Sequence, residues 1–292
     1  MRLSDIISEN KSVPVASFSI HPGLSEEVQN CLTRIGILDP PSDGKFGPVS
    51  KWALAALADG TEVESIDARL ADSLLTADTR PVSAENELVA RVLDGMQRRN
   101  FWLAREPGCV NIVYVEGMSP DGTPNDNTPN EFNDTRFLLR VSEGGVMRVA
   151  GSWEATTEPG RKFTEGPENP KGAARISFGQ FKAWCVGNHK NNPAHEALVQ
   201  TQEIPVFRDR NKDFRRDGDS LFSGIFGINQ HHGFDFRKED IRDASAGCLV
   251  GRLVGEHRNF MKIVKSDPRF LASRGYTFMT TVMDSFIVAG IS

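Results

Sequence analysis

The apolar residues of this chain change their period partway along it. Between residues 24 and 75 they recur at steps of three and four, the repeat of a helix face. From about residue 106 they come in short runs separated by turn clusters, the pattern of strands. A chain divided this way has to place helices first and sheet second, so the expected class is α+β. The expected organisation is a small three-helix module over residues 1–80, a helical connector over 81–105 and a β-rich domain over 106–292.

In the first part, Leu24, Val28, Cys31, Leu32 and Ile35 share one helix face, and Gly36 can stop that helix. A turn-rich stretch from Asp39 to Gly44 leads to Phe46-Gly47-Pro48 and a second helical run, Val49 to Leu57, with Trp52 and Leu57 turned inward. A third run from Val63 to Leu75 spaces Ile66, Leu70 and Leu74 as a helix would. Leu88, Val89, Val92 and Met96 define the connector helix, which ends near Arg99-Asn100. Beyond it, strands are expected at Val110–Val115, Arg136–Val141, Val146–Ser152, Ala174–Phe178, Ile204–Phe207, Leu221–His231 and Thr277–Val282, with a helix at Leu253–Val264. The polar stretch Ser119–Asp134 reads as a surface loop.

Composition narrows the partners. There are 34 Lys and Arg against 39 Asp and Glu, a net charge of −5, which disfavours nucleic acid because phosphate binding needs a basic excess. With 39% hydrophobic residues the chain can build packed cores and is not disordered throughout. No apolar run approaches the ~20 residues of a membrane helix, so no membrane insertion is expected. The four cysteines, Cys31, Cys109, Cys185 and Cys248, form no C-x-x-C pair and are too sparse for a disulfide framework.

The chemistry concentrates between residues 205 and 252. His231 and His232 precede Cys248, which follows Ser245-Ala246-Gly247. A cysteine attacks an acyl carbon as thiolate, so it needs a base within reach. It also needs backbone N–H groups aimed at the oxyanion, and a small-residue turn lets the backbone come close to a carbonyl. Cys248 is therefore the candidate nucleophile and His231 or His232 the candidate base. Ser245 would hold the turn, Gly247 would permit the close approach, and N–H groups near Gly247 and Cys248 would bind the oxyanion. Strand alternation carried through Leu221–His231 puts Ile225, Gly227, Asn229 and His231 on the cleft side and Phe226, Ile228, Gln230 and His232 on the core side, which favours His231.

Two metal readings fail on their templates. Asp209, Asn211, Asp213, Asp217 and Asp219 resemble a calcium loop, but its sixth position holds Phe214 and its twelfth Ser220. That stretch reads instead as a charged hairpin loop held by Asx turns, or as a grip on a charged peptide. Cys185, His189 and His195 on a presumed loop match no strong zinc spacing. No cofactor and no metal are expected. A zinc peptidase using His189 and His195 is the reading that chelators would test.

Two resemblances sharpen these readings. Val28-Gln29, Leu32 and Gly36, followed by Asp43-Gly44-Lys45-Phe46-Gly47-Pro48 and the helix Ser50–Leu57, resemble the helical peptidoglycan-binding module over about a fifth of the chain. The second helix ends in Ala-Leu-Ala where that family usually has an aromatic-Gln pair. His232-Gly233, Ser245-x-Gly247-Cys248 and Arg252 resemble the signature of the L,D-transpeptidase family of cell-wall cysteine enzymes. Ala246 stands where that family usually has His, the loop before Ser245 is short, and Arg252 lies four residues after the cysteine. A related group of wall-active proteins, some from phages, is matched better by Arg208-Asp209-x-Asn211-x-Asp213, Phe226-Gly227-Ile228-Asn229-x-His231 and Ser245–Cys248.

These resemblances imply a β-sandwich-like catalytic domain that forms a thioester on Cys248 with peptidoglycan stem peptides. Asn229, Arg208 and Arg252 would contact substrate, and Asp43 and Phe46 would serve wall binding. The expected activity is cleavage of stem-peptide amide bonds, as in a lysin or wall-degrading effector. The alternatives are cross-linking of stem peptides, or a non-catalytic wall-binding or virion protein. The N-terminal sequence has no basic segment followed by an apolar one. The expectation is synthesis in the cytoplasm without a signal peptide and action on the wall after release or delivery.

Overall fold

Pro22 and Pro48 each open a helix at its first position, where a missing N–H costs nothing, and Gly36 closes the first of them in the left-handed region (φ +95°). The computed structural model describes residues 1–189 and 194–289. Its N-terminal part runs α1 (Leu3–Ser8), β1 (Val13–Pro14), a 3-10 turn (Val15–Ile20), α2 (Pro22–Ile35), α3 (Pro48–Leu57), β2 (Ser65–Ile66), α4 (Ala68–Thr76), β3 (Ser83–Ala84) and α5 (Glu87–Arg98). The three expected helical runs correspond to α2, α3 and α4, but this part is more than a three-helix bundle. Leu3 and Ile6 of α1 and Phe18 of the 3-10 turn are buried in the same core as Val28, Leu32 and Leu54. The run expected from Val63 starts as a helix only at Ala68. Ser65 and Ile66 pair with β1 instead, and the Asp67 carboxylate caps α4 by accepting from Leu70 N–H at 2.8 Å.

The remaining elements are β4 (Val110–Glu116), β5 (Asp134–Val141), β6 (Val146–Thr156), α6 (Arg161–Glu165), β7 (Ala173–Ile176), β8 (Gly179–His189), β9 (His195–Gln200), β10 (Ile204–Asp209), β11 (Ser220–Gly224), β12 (Gln230–His232), β13 (Leu249–Gly251), α7 (Val254–Val264), α8 (Pro268–Ala272), β14 (Thr277–Asp284) and α9 (Ser285–Ala289). Among the described residues the main sheet has the order β13-β12-β9-β8-β14-β4-β5-β6-β3. β13 also pairs with β6, through Val250 to Thr156 and Gly251 to Ala155, so the sheet closes on itself. A β-sandwich-like domain was expected; among the described residues the other sheet of this part is the three-stranded antiparallel β11-β10-β7.

The period of two in β4 explains why this sheet carries a core on each face. Val110, Ile112 and Tyr114 pack with Trp184, Leu198 and Phe260 on one side. Val113 and Val115 pack on the other with Val89, Val92 and Met96 of α5 and Val288 of α9. The helix α5 is thus the outer cover of the sheet, started by Asn86, whose side chain accepts from Val89 N–H at 3.0 Å. The helical part is fastened to the sheet by a buried acid. The Asp39 carboxylate accepts from Tyr276 Oη (2.8 Å) and pairs with Lys182 Nζ (2.7 Å), while the Trp102 indole N–H donates to the Thr33 carbonyl (2.9 Å).

Two strand readings change. The single strand expected over Leu221–His231 is broken between β11 and β12, because Gly227 takes φ +75° and ends the alternation. The stretch holding Cys185, His189 and His195, expected as a loop, belongs to the antiparallel strands β8 and β9, with His189 opposite His195.

Candidate functional site

Cys248 sits one residue before β13, which runs parallel to β12 with Gln230 opposite Leu249 and His231 opposite Val250. This pairing fixes the sulfur. Leu249 N–H donates to the Asn229 carbonyl (2.9 Å), and Asn229 N–H donates to Sγ (3.4 Å). The thiol in turn donates to the Gly227 carbonyl (3.6 Å), a contact that requires its proton. The half-buried sulfur faces a cleft of about 380 Å³ whose walls include Phe163, Ala174, Arg208, Phe226 and Ile228. Phe226 and Ile228, expected on the core side, do pack on the main core and also border this cleft.

Ser245 is fully buried and clamps the turn: its hydroxyl donates to the Cys248 carbonyl (2.9 Å) and accepts from Gly247 N–H (3.1 Å). The Gly247 N–H is therefore committed, while the Cys248 N–H has no backbone acceptor among the described residues. Gly247 adopts φ +126°, and a Cβ there would lie 2.5 Å from the Ala174 carbonyl oxygen of β7. Both facts demand glycine. Gly247→Ala is expected to destabilise the protein by roughly 1–3 kcal/mol, the usual cost of such strain, measured by urea unfolding. Unchanged stability would mean that the turn is not held as described.

Five of the six histidines cluster beside this turn. His189 stacks on His231 with ring centres 4.1 Å apart, His195 stacks on His232 at 3.9 Å, and His257 lies 5.8 Å from His232. Hydrogen bonds assign their protons. The His232 carbonyl lies 2.9 Å from His231 Nδ1 and can only accept, so that nitrogen carries the proton and Nε2 keeps its lone pair. His232 Nδ1 instead accepts from Phe234 N–H (3.3 Å). The Asn229 amide is oriented by Gln200 N–H, which donates to its Oδ1, so its Nδ2 donates to His189 Nδ1 (2.9 Å). When neutral, His189 and His232 thus carry their protons on Nε2, and His231 offers a basic nitrogen. Burial and then His189 hold the His231 pKa well below 6.5, and burial followed by His195 lowers His232 to about 4. Both rings are neutral at pH 7.

Among the described residues no three His, Cys, Asp or Glu side chains have metal-ligand geometry. Cys185 does not join His189 and His195; its sulfur meets the hydroxyls of Thr201 (3.4 Å) and Thr277 (3.3 Å). The acidic loop is likewise tied internally. Asp209 accepts from the backbone of Asp213 (3.2 Å) and Phe214 (3.0 Å), and Asn211 donates to Asp213 (2.8 Å).

Burial pushes the Cys248 thiol up to about 11, and Sγ makes no hydrogen bond to a histidine among the described residues. Cys248 rests as a thiol and His231 as a neutral imidazole, not as a thiolate–imidazolium ion pair. Iodoacetamide labelling of Cys248, mapped by mass spectrometry, should accelerate about tenfold per pH unit from pH 7 to beyond 9, because only thiolate reacts. A plateau near pH 7 would show a preformed ion pair.

The other expected site residues separate. Arg208 and, through its backbone, Asn229 are at the cysteine. Arg252 pairs with Glu154 (2.6 Å), donates to the Phe236 carbonyl (3.3 Å) and does not line the cleft. Asp43 and Phe46 belong to the helical part. Asp43 accepts from Gln29 Nε2 and Lys45 N–H, both at 2.9 Å, and Phe46 meets Phe18 edge to face at 4.8 Å. Asp43 borders a separate groove of about 310 Å³ shared with Lys182 and Tyr276.

A buried charge network lies behind the cleft wall, and sequence reading did not find it. Arg216 forms a two-pronged pair with Glu116 (2.7 and 2.6 Å), Thr157 Oγ1 lies between Glu116 (2.6 Å) and Asp134 (2.9 Å), and Arg175 pairs with Glu158. Arg175 within the short run Ala173–Ile176 and Glu116 at the end of an apolar strand were the available signals.

No family model and no curated protein matches this chain. Among solved structures it is similar to a fused Zn-dependent amidase/peptidase/peptidoglycan-binding domain-containing protein from Clostridium acetobutylicum, with 11% identity over 88% of this chain and 94% of that one and a TM-score of 0.29. It is also similar to an L,D-transpeptidase from Xylanimonas cellulosilytica, with 12% identity over 94% and 95% and a TM-score of 0.19. At these TM-scores neither likeness bears on chemistry, which has to come from the side chains themselves.

Proposed function

We propose that the chain is a peptidoglycan-binding cysteine enzyme that cleaves stem-peptide amide bonds through a thioester on Cys248. The observation that supports it is a cleft-facing thiol one residue before the strand that pairs with β12, whose His231 keeps Nε2 unprotonated. In this reading substrate entry brings His231 Nε2 to the thiol proton. Sγ adds to the carbonyl carbon, the Cys248 N–H stabilises the oxyanion, and the protonated His231 returns its proton to the departing amine. Water then adds to the thioester and frees the acid. The Arg208-Asp209-x-Asn211-x-Asp213 and Phe226–His231 patterns favour this hydrolytic outcome, and the helical part would hold the enzyme on the wall and raise local substrate concentration.

The test is incubation of purified muropeptides with the wild type and with Cys248→Ala, read by mass spectrometry. Gain of one water per cut bond is expected of the wild type alone. Loss of an amine from the donor with joining of two peptides would establish cross-linking instead. Identical products from both proteins would end the cysteine mechanism, and sedimentation with sacculi without turnover would leave a wall-binding protein.

A further inference from the structure

The arginines around the cleft fall into two groups. Arg175 and Arg216 are each ion-paired with a glutamate, Glu158 and Glu116. Arg208, 8% exposed, has no ion pair among the described residues. Its guanidinium lies over the Phe226 ring (4.7 Å), and Nη1 donates to the Gly172 carbonyl (3.3 Å). A guanidinium taken from water without a counter-ion is costly, and it has the planar fork that suits a carboxylate. Arg208 also stands between two cavities. It lines the Cys248 cleft and an adjoining trough of about 750 Å³. Lys171 and Arg210 border that trough, also without ion pairs among the described residues, and Lys171 Nζ sits 4.4 Å from the Phe222 ring. Asp219 faces the same trough and Glu168 lines the Cys248 cleft, so across the two spaces three cations meet two carboxylates.

We propose that this trough is an anion subsite in which Arg208, with Lys171 and Arg210 at the rim, takes a carboxylate carried by the substrate peptide close to the carbonyl that Cys248 attacks. The inference rests on the cysteine-enzyme reading and adds the substrate feature that it selects. A peptide carboxylate is favoured over a polymer phosphate because Arg208 is shared with the nucleophile's own cleft.

The test compares binding of a purified disaccharide–tetrapeptide muropeptide, as its free acid and with its carboxylates amidated, to the Cys248→Ala protein by calorimetry. Amidation is expected to weaken binding about tenfold or more, corresponding to loss of one charge-assisted pair. Arg208→Gln should bring the two ligands to equal affinity, and Arg208→Lys should retain part of the preference, since it keeps the charge and loses the fork. Equal affinity of both forms for the Cys248→Ala protein, or no binding of either, overturns the subsite without recourse to Arg208 variants. Inorganic phosphate that binds without displacing the muropeptide would assign the trough to a phosphate instead. Carboxylate-selective binding without wild-type turnover would leave the subsite standing and remove the catalytic reading; turnover without selectivity would do the reverse.

Discussion

Replacing Cys248 by alanine is expected to lower muropeptide turnover by roughly 10³-fold or more, since loss of the nucleophile from a covalent mechanism leaves only binding and oxyanion stabilisation. Stability should change little. Cys248 is half-buried at a cleft wall, and Ala removes one sulfur that is held by a weak backbone donor. Serine should not rescue activity. Its hydroxyl is a far weaker acid than a thiol already pushed up to about 11, and His231, kept neutral by burial, is the base available to it. His231→Gln should cost roughly 10²–10⁴-fold, the usual worth of a positioned base, with a smaller loss for His232→Gln, whose Nδ1 is occupied by Phe234 N–H. If His232→Gln is the more damaging of the two, the assignment of the base is reversed.

The helices were legible because α2, α3, α4 and α5 are each long enough to show a face. The six-residue α1 is shorter than two turns, and its Leu3 and Ile6 could not register as a period. Strands with a core on both sides, such as β4, announced themselves as apolar runs. β8 did not, because Gln180, Lys182 and Asn188 interrupt its sequence and their partners are supplied by distant segments, Trp102 and Asp39 among them. At the site, the turn residues Ser245, Gly247 and Cys248 were legible as a motif. The imidazole cluster was not, since it depends on β8 and β9 pairing so that His189 and His195 meet β12. Arg252 reads as a substrate contact only by its place in the L,D-transpeptidase-like signature. In space it is neutralised by Glu154 of β6, the strand that closes the sheet on β13.

Arg216→Met is expected to destabilise the fold by roughly 3–5 kcal/mol, a large part of the stability of an ordinary domain, because it strands a buried carboxylate. Glu116 is 4% exposed, and burial is opposed by Arg216, which holds its pKa below the usual 4.5. Burial and then Glu116 raise the Asp134 pKa well above 3.8. The Thr157 hydroxyl is shared as donor between Glu116 (2.6 Å) and Asp134 (2.9 Å), and Asp134 also accepts from the backbone N–H groups of Thr157 (2.6 Å) and Gly117 (2.9 Å). The Glu116 charge is balanced by Arg216. Without Arg216 that charge is unpaired, and Glu116 is pushed to take up a proton. The depressed carboxyl of the wild type contributes stability that is present at both pH 5 and pH 7 and is lost only below about 4.5, whereas the variant's Glu116, with its pKa raised, costs less as pH falls from 7 to 5. Urea unfolding of Arg216→Met should therefore show a smaller deficit against wild type at pH 5 than at pH 7. Glu158, raised to about 7 by burial, works the other way in both proteins. Its protonated form is favoured by folding, so its contribution fades as pH climbs from about 4.5 towards 7. The double variant Arg216→Met/Glu116→Gln removes both members and should recover much of the loss, since what is costly is the uncompensated charge rather than the absence of the pair. A single variant that loses less than about 1 kcal/mol, or a double variant no more stable than the single, would show that Glu116 is not ionised behind the cleft wall.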